Sequence, residues 1–554
     1  MQILSRGLAP LPTGPRRRQV HCLAATTQTP VPISDKQSPQ PAARKVSLVS
    51  LGCPKNVVDG EVLLGDLTRA GFSITEDHEE ADAIIVNTCA FVEDAKSESL
   101  EAIVEAASLN EDGRKRKLVV TGCLAQRYSQ QLAADLPEAD LVVGFQSYGN
   151  LAASLQRSLG LEPSREALQI AQEAAAAAAA AAGESAAGAP GADGHQQDPQ
   201  QQQQGGQEQQ EGLRVRAAAG GEVEEASTSA RVQVGAATVP FRPEWRRHRL
   251  TPPHTAYLRV AEGCNHACTF CAIPGFRGKF RSKPWGALLA EAAHLVAGGV
   301  KELCLIAEDT NQYGMDRRDG RDLAQLLREL SRLEGLAWIR ILYAYPSYFN
   351  DALIDEIANN PKVCKYLDMP LQHISNLTLL AMNRPPAQHT RGLLARLRSR
   401  IPRLALRTTF ISGFPGESEE AHRELVGFVK EFKFERMGCF AFSPEDGTPA
   451  ASLPQQLPQR LRERRRDELI SLQQRIGEEW AEGRVGEEME VLVEGYNDDG
   501  WLIGRTQYDA PDVDPLVFLT ESDDPAVPRL EAGQIRRCVV TSNSLFDLEA
   551  TPVA

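Results

Sequence analysis

Three cysteines lie within eight residues in the segment AEGCNHACTFCAIPGFRGKFRS, which spans residues 261–282. Cys264, Cys268 and Cys271 have the spacing CxxxCxxC and follow the strand-like stretch TAYLRVAEG on a loop that contains glycine and asparagine. Thiolates are the usual protein ligands of iron–sulfur clusters, and a complete 4Fe–4S site takes four of them. Three ligands leave one iron open, and an open iron can bind a substrate. We expect S-adenosylmethionine (SAM) to chelate at that position.

Zinc is the competing interpretation of this loop. Structural zinc sites usually combine two CxxC units, and the sequence has no second unit that completes this one. His266 lies within the loop, but its spacing does not suit a ligand. The iron–sulfur interpretation is therefore favoured.

A second set of cysteines is spread over the N-terminal part of the chain. Cys53 ends VSLVSLGC, Cys89 ends AIIVNTC and Cys123 ends LVVTGC, so each follows a different predicted parallel strand. The carboxyl ends of parallel strands line the ligand crevice of an open α/β sheet, and adjacent strands are about 4.8 Å apart. These thiols can thus meet at a second centre with an open iron. The alternative is three separate buried thiols, since free cysteine packs well in cores.

The totals exclude several classes of protein. The chain has 554 residues, a formal net charge of -14 and eleven cysteines. The negative net charge argues against a protein whose main role is to coat nucleic acid. The odd number of cysteines argues against a secreted protein held together by disulfides. The lack of a long apolar run argues against a membrane-spanning segment. Cys22 falls in the N-terminal leader. The remaining thiols are predicted to be core residues: Cys304, Cys364, Cys439 and Cys538.

The elements that must position the two triads alternate between strands and helices. Such alternation predicts an α/β protein with parallel sheets, and six units after residue 255 predict a partial (β/α)6 barrel with active residues at the strand ends. Short strands after residue 485 predict a small all-β barrel. The predicted divisions are 1–45 leader, 46–160 parallel α/β domain, 161–240 low-complexity insert, 241–457 partial barrel, 458–484 helical linker and 485–554 all-β barrel.

Two segments have compositions unlike the rest. Residues 1–45 are rich in Arg, Ser, Thr and Pro with one acidic residue, Asp35, which is typical of an organelle transit peptide, and we expect the chloroplast rather than the mitochondrion. A disordered tail is the alternative. Residues 161–240 contain an alanine run and glutamine-rich sequence, a composition that predicts a linker with a transiently helical alanine stretch.

These motifs resemble a known family. GCNHACTFCAIPGFRGKFRS resembles the radical SAM loop of the methylthiotransferases, and SLGCPKN, VNTCAFVEDAKSES and TGCLAQRY resemble their N-terminal cluster domain. YLDMPLQHISNLTLLAMNR and RTTFISGFPGESEEAH resemble their barrel, and the C-terminal barrel resembles a TRAM (OB-like) domain. The likeness covers about residues 46–160 and 241–550. SLGCPKNVVDGE and GRTQYDAPDVD are most similar to the RimO type.

The resemblance implies two 4Fe–4S clusters, with Cys264, Cys268 and Cys271 on the radical SAM cluster and the N-terminal triad on an auxiliary cluster. It implies two SAM molecules: one methylates sulfur on the auxiliary cluster and the other yields the radical that abstracts hydrogen from an unactivated C–H bond. RimO-type enzymes modify the β-carbon of an aspartate in small-subunit ribosomal protein twelve. A one-electron donor such as ferredoxin or flavodoxin and a sulfur source are implied partners.

Further site residues are predicted from their positions at strand ends. SAM contacts are expected from Glu308, Asp309 and Gln312, and close backbone approach is expected at Gly413 and Gly416. An ordinary loop role is the alternative for each. His373 and Arg384 could line the site or satisfy local hydrogen bonds, and Trp501 and Tyr508 could be contact or core residues.

The C-terminal barrel helps to choose a substrate. Between residues 485 and 550 there are fifteen acidic residues, four arginines and no lysine. Such a surface repels phosphate and suits a basic protein, so a ribosomal protein is favoured over transfer RNA (tRNA). Acidity kept only for solubility is the alternative. A tRNA adenosine methylthiotransferase and a non-catalytic iron–sulfur scaffold remain competing functions.

Overall fold

The computed structural model describes residues 43–186, 231–239, 241, 246–317, 319–522 and 527–553. The predicted leader lies outside these residues except for positions 43–45, and so does Cys22. None of the described helices is long and apolar enough to cross a membrane.

The N-terminal domain is a six-stranded parallel sheet in the order β2-β1-β3-β4-β5-β6. Its central strand β3, AIIVNT, is buried along its whole length, as expected for a parallel strand covered on both faces. The strands are β1 (Lys45–Ser50), β2 (Ser73–Ile74), β3 (Ala83–Thr88), β4 (Lys117–Gly122), β5 (Leu141–Val143) and β6 (Val232–Gln233). The helices are α1 (Pro54–Arg69), α2 (Glu93–Ser108), α3 (Cys123–Asp135), α4 (Leu151–Ser158) and α5 (Arg165–Ala186).

Two parts of the predicted insert 161–240 belong to this domain, so the expectation of a linker is wrong there. Helix α5 contains the alanine run and buries Ala167, Ile170 and Ala174. Strand β6 pairs in parallel with β5 at the edge of the sheet. Alanine has the highest helix propensity, and packing of one face against the domain stabilises the helix. The glutamine-rich part of the insert lies outside the described residues.

The central domain is a second six-stranded parallel sheet with consecutive order, β7-β10-β11-β12-β13-β14, as the sequence predicts for a partial barrel. Its strands are β7 (Thr255–Arg259), β10 (Glu302–Ile306), β11 (Trp338–Ile341), β12 (Val363–Asp368), β13 (Ala405–Ser412) and β14 (Arg436–Ala441), with a separate pair of β8 (Ala261–Glu262) and β9 (Arg281–Ser282). Its helices are α6 (Ile273–Arg277), α7 (Trp285–Ala297), α8 (Leu323–Ser331), α9 (Asp351–Asn359), α10 (Asn376–Ala381), α11 (Ala387–Arg400), α12 (Glu419–Phe432) and α13 (Gln459–Glu482). Short 3₁₀ helices are Leu109–Asp112, Phe145–Asn150, Thr310–Gln312 and Pro449–Ser452.

The C-terminal domain is a closed five-stranded barrel in the order β15-β16-β17-β19-β18. Its strands are β15 (Glu488–Tyr496), β16 (Leu502–Thr506), β17 (Val517–Leu519), β18 (Ile535–Ser544) and β19 (Asp547–Pro552). The all-β barrel expected after residue 485 is thus present. The fifth, β19, closes the barrel by pairing with both β17 and β18.

The loop between β16 and β17 docks this barrel onto the central sheet. Its three aspartates bond to side chains of central strands: Asp509 to Arg436, Asp512 to Tyr257 at 2.9 Å, and Asp514 to Tyr366 at 2.6 Å. The carboxylates of Asp509 and Asp514 are buried, whereas Asp512 is exposed, so part of the acidic surplus of the barrel is not presented to a partner. Tyr508, at the start of this loop, is buried against Trp480 and is a core residue.

A buried ion-pair network fixes the same interface. Glu302 at the start of β10 accepts from Arg340 at 2.7 Å and from Arg505 of the barrel at 2.6 Å. Arg505 also bonds to Glu494 at 2.7 Å, and Glu494 lies 2.9 Å from His254. Burial opposes the ionised form of Glu494, but Arg505 and His254 outweigh it and lower the pKa to about 2. Glu494 is thus an anion at neutral pH.

Candidate functional site

The N-terminal cysteines lie at the ends of three neighbouring parallel strands. Strands β1, β3 and β4 are adjacent. Cys53 is the residue that precedes α1, Cys89 follows β3 directly, and Cys123 is the first residue of α3 directly after β4. The prediction that these thiols share one edge of the sheet is confirmed.

Asn56 ties the three strand ends together. Its side-chain amide donates to the carbonyls of Leu51 and Thr88, at 3.0 and 2.9 Å. Its carbonyl Oδ1 lies 3.5 Å from the Sγ of Cys123. A Cβ placed on Gly52 would lie 3.0 Å from the Sγ of Cys89, so the backbone before Cys53 approaches that thiol closely.

Burial raises the pKa of two cysteines of this triad. It raises the pKa of Cys89 to about 11, and Cys53 adds to the shift. Burial also raises the pKa of Cys123, although the nearby Arg277 opposes it. Metals bind thiolates, so a cluster held by these cysteines would displace protons when it is loaded.

The second triad is held on a single loop between β8 and α6. Cys264, Cys268 and Cys271 are all partly exposed. Thr269 donates to the carbonyl of Ala381 at 2.7 Å, which attaches the loop to the end of α10. Burial, with the neighbouring thiols, raises the pKa of Cys264 to about 12. The loop is thus attached to the central domain between Cys268 and Cys271.

His266 fastens the middle of this loop. Its Nε2 lies 2.7 Å from Oδ2 of Asp309, which is fully buried. Its ring stacks on Tyr345 with a centroid separation of 3.6 Å and an interplanar angle of 11°. The guanidinium of Arg384 lies 4.0 Å from the Tyr345 ring and 3.8 Å from the Sγ of Cys268. His266 therefore orients the loop through its partners on two central strand ends, in keeping with its predicted role as a non-ligand.

A glycine with positive φ precedes a cysteine in each triad. Gly122 has φ +93°, and a Cβ there would collide with the Thr88 carbonyl oxygen. Gly263 has φ +74°, and a Cβ would collide with the Lys279 carbonyl oxygen. L side chains rarely adopt this conformation. The backbone reversal that presents Cys123 and Cys264 thus requires glycine.

Arg277 joins the two triads. It bonds Asn56 Oδ1 and Asp59 Oδ2 in the N-terminal domain, both at 2.8 Å, and lies 3.3 Å from Glu262 of β8. One of its nitrogens is 3.7 Å from the Sγ of Cys123. Because all these groups are buried, the network fixes one domain on the other at the level of the cysteines.

Glu445 forms a second bridge between the same domains. Its carboxylate lies 3.0 Å from Arg127 of α3 and 3.2 Å from Lys96 of α2. Glu445 is buried and lies on the loop that follows β14. The N-terminal domain is therefore attached at both edges of the central domain's open side.

Lys55 and Glu308 lie between the triads. The Nζ of Lys55 donates to the carbonyl of Ala307 at 3.2 Å and lies 3.6 Å from the ring centroid of Tyr343. Among the described residues, neither carboxylate oxygen of Glu308 has a hydrogen-bond partner, and the Nε of Arg277 lies 3.8 Å from one of them. Burial, reinforced by Glu262 and opposed by Lys55, raises the pKa of Glu308 to about 7. A buried carboxylate without a donor is suited to a ligand that supplies one.

The donor sets fit iron–sulfur clusters better than single ions. Among the described residues, no three His, Cys, Asp or Glu side chains converge closely enough to hold one metal ion. A cubane cluster binds each thiolate through a different iron and so accepts a wider spacing. Each triad consists of cysteine alone, and no fourth protein ligand adjoins it among its described contacts.

The other predicted site residues divide into two groups. Asp309 lies beside the cysteine loop, and Gln312 keeps a buried Oε1 without a partner. Gly413 belongs to a turn in which Glu417 accepts from its N–H at 2.7 Å, and its Cα faces Arg462. Gly416 lies in the same turn, where its N–H donates to the carbonyl of Gln455. These two glycines thus have turn and packing roles.

The remaining candidates are resolved by burial. His373 is fully buried, accepts from the Ser375 N–H at 3.0 Å and lies 3.5 Å from Glu417, and its Nε2 has no hydrogen-bond partner among the described residues. Trp501 is 62% exposed and remains available for a partner. The four predicted core thiols are confirmed as buried: Cys304, Cys364, Cys439 and Cys538.

Comparisons with known proteins agree with this arrangement. Residues 45–144 match Uncharacterized protein family UPF0004, residues 258–429 match the Radical SAM superfamily, and residues 485–553 match the TRAM domain. The chain is 41% identical over 510 residues to the ribosomal protein uS12 methylthiotransferase RimO of Geobacter sulfurreducens, covering 92% of this chain and 98% of that protein. It is 39% identical over 507 residues to the RimO of Geotalea uraniireducens, covering 91% and 97%. The chain belongs to the RimO family of methylthiotransferases.

Membership in the RimO family fixes the class of chemistry. The chain is a radical SAM transferase that transfers methylthio groups, and its cofactors are SAM and 4Fe–4S clusters. When bound, the clusters and SAM supply the radical chemistry that cleaves an unactivated C–H bond. The predicted fold class is confirmed in all three domains.

Four functional candidates were missed by sequence reasoning: Lys55, Asn56, Arg277 and Tyr343. The first two lie within three residues of Cys53 in the motif GCPKN, and Arg277 lies six residues after Cys271. Charged or amide side chains this close to ligands were a usable signal. The sequence contains no signal for Tyr343, because its positive φ of +59° is visible only in the structure.

Proposed function

We propose that this enzyme adds a methylthio group to the β-carbon of an aspartate in ribosomal protein uS12, using two SAM molecules and two 4Fe–4S clusters. The observation that carries the proposal is the pair of three-cysteine sets, held in fixed relation by the buried Arg277 network. Two open clusters are what the reaction needs, one to generate a radical and one to deliver sulfur. The names of the RimO relatives supply the substrate.

Each triad has its own role in the proposal. Cys264, Cys268 and Cys271 would hold the radical SAM cluster, and Cys53, Cys89 and Cys123 the auxiliary cluster. Glu308 and Asp309 would contact SAM beside the first triad, where Glu308 has no internal donor. Arg384, adjacent to Cys268, adds a cation to the same rim. The protein orients these groups and excludes water from the space between them.

The charge of the C-terminal barrel indicates the kind of substrate that the enzyme binds. Acidic residues of the C-terminal barrel outside the docking loop, together with exposed Trp501, suit a basic ribosomal protein and disfavour tRNA. An electron donor of the ferredoxin or flavodoxin type and a separate sulfur source would complete the reaction.

The test is mass spectrometry of uS12 and of tRNA, each incubated with anaerobically reconstituted enzyme, SAM, sulfide and reductant. We expect one methylthio group on an aspartate peptide of uS12 and no change in tRNA. Modification of tRNA adenosine alone would favour the tRNA enzyme. Failure to cleave SAM under strong reductant would favour a non-catalytic scaffold.

The N-terminal composition supports a proposed location in an organelle, the chloroplast stroma rather than the mitochondrion. Residues 1–45 carry arginines, hydroxyl residues and proline with a single acid. Fusion of these residues to a fluorescent protein should direct it to chloroplasts, and a cytosolic signal would contradict the proposal.

A further inference from the structure

Lys55 presents a buried ammonium group with donors to spare. The residue is 7% exposed. Its Nζ has one hydrogen bond, to the carbonyl of Ala307, and one ring contact, to Tyr343. An ammonium carries three N–H donors, and no described carboxylate forms an ion pair with Lys55. Burial opposes the charged form of this ammonium group, but Tyr343, Cys53 and Glu308 favour it and raise its pKa. No hydrogen bond to any of these three is formed among the described contacts. Unpaired buried donors are costly, so the two that remain are suited to a ligand.

The position of this ammonium is between the two triads. Lys55 follows Cys53 by two residues at the start of α1. Its bond to Ala307 brings it to the end of β10, next to Glu308 and Asp309, and Asp309 holds the loop of the other triad through His266. A group bound at Nζ would therefore lie where both clusters can act on it.

The other cations near the triads are already engaged. Arg277 bonds to Asp59, Glu262 and Asn56. Arg384 donates to the carbonyl of Pro370 and lies over the Tyr345 ring. Arg384 likewise has no carboxylate within bonding distance and keeps a buried Nε without a partner among the described residues, but it lies beside Cys268 in the loop triad. Lys55 differs in having two unused donors on one nitrogen next to the other triad.

We propose that Lys55 binds the carboxylate of the target aspartate and makes the enzyme selective for an acidic residue. This rests on the proposed function, in which the reacting carbon is the β-carbon of an aspartate. That carbon is bonded directly to the carboxyl group, so any pose that holds the methylene between the clusters also places a carboxylate in the same space. An ammonium with two free donors answers that charge and fixes the rotation of the methylene.

The experiment measures binding, apart from turnover. The holoenzyme is titrated without reductant against uS12 and against a uS12 variant with asparagine in place of the target aspartate. We expect wild type to prefer the aspartate form by about 30-fold, since a hydrogen bond to a charged group contributes about 1.5–3 kcal/mol. Lys55→Gln should reduce the preference to about 2-fold or less, and Lys55→Arg should keep most of it.

Lys365→Gln is the matched control. The Nζ of Lys365 also bonds backbone carbonyls, those of Ile357 and Asn360, but it lies on β12 near its amino end. This variant should keep the wild-type preference. Iron content is measured for every variant, so that loss of a cluster is distinguished from loss of carboxylate binding, and it should be unchanged in Lys55→Gln.

Each outcome decides the matter. A Lys55→Gln enzyme that holds both clusters and still prefers aspartate overturns the proposal, as does one that cannot assemble both clusters, which would make Lys55 a structural residue. If wild type neither binds nor modifies uS12, the proposed function itself fails. Wild type that modifies uS12, with an unchanged preference in Lys55→Gln, removes only the role of Lys55.

Discussion

The two cysteine triads offer the same three thiols by different means. One is spread over three strand ends of a parallel sheet, and two of its three cysteines are buried. The other occupies one loop, and all three are partly exposed. A loop can bring ligands together by local spacing, whereas strand ends do so only once the sheet has formed. The first triad therefore depends on the fold of its whole domain, and the second on the anchors of one loop.

Replacing single cysteines should give the largest effects and separate the triads. Cys123→Ala should remove about four irons per chain, abolish methylthiolation and leave reductant-dependent SAM cleavage intact, because the loop triad remains. Cys268→Ala should remove a similar amount of iron and abolish SAM cleavage as well. Iron analysis and quantification of 5′-deoxyadenosine check both results, and equal loss of SAM cleavage in the two variants would contradict the division of roles.

Arg277→Met should weaken the link between the triads. It leaves Asp59 and Glu262 with one buried cation fewer, and breaking a buried ion pair typically costs about 3–5 kcal/mol. Denaturant unfolding of the cluster-free protein measures the loss. Arg423→Met, which breaks an exposed pair with Glu420, is the control and should change stability far less. An equal loss of stability in the two variants would show that the buried network contributes no more than an exposed ion pair.

Acid should weaken the docking of the C-terminal barrel onto the central domain, and this effect should not differ between the two triads. The pKa of Glu494 is lowered to about 2 from an ordinary value of 4.5, so its stabilisation is complete above pH 4.5 and is lost as pH falls toward 2. The loss is at most about 3 kcal/mol. Glu494→Gln should be less stable at pH 7 and should lack this part of the pH dependence. Unfolding of the cluster-free protein across this range provides the measurement.

Alanine at the glycines before the cysteines should give the smallest effects, and they should differ between the triads. Gly122→Ala strains the backbone between β4 and α3 and should cost about 1–3 kcal/mol of domain stability. Gly263→Ala strains only a loop, so we expect a lower affinity for the radical SAM cluster with little change in global stability. Thermal unfolding and iron retention are measured for both variants. A loss of global stability in Gly263→Ala would contradict the expected difference between the two triads.

The sequence was sufficient where function depends on local pattern. CxxxCxxC identified the loop triad, and the ends of VSLVSLGC, AIIVNTC and LVVTGC placed the other, because apolar strands and the residues after them are continuous in the chain. It was insufficient where partners are distant in sequence. The bond between Lys55 and Ala307 joins residues 252 positions apart, and no spacing rule contains it.

Pairing at sheet edges was also beyond sequence reasoning. Strands β2 and β6 have two residues each, too few to show a period. The fifteen acidic residues of the C-terminal region were interpreted as a surface for a basic partner, yet Asp509, Asp512 and Asp514 bond within the chain. Composition counts charges but does not say which of them face solvent.

The edge position of β6 has a consequence for engineering. The chain leaves the N-terminal domain at the end of α5 and returns at β6, which pairs only with β5. The three cysteine-bearing strands β1, β3 and β4 lie on the other side of β5. The interval between residues 187 and 230 is therefore a suitable site for inserting another sequence. A fluorescent reporter or affinity handle placed there would be attached next to the edge strand β6, which β5 separates from the three cysteine-bearing strands.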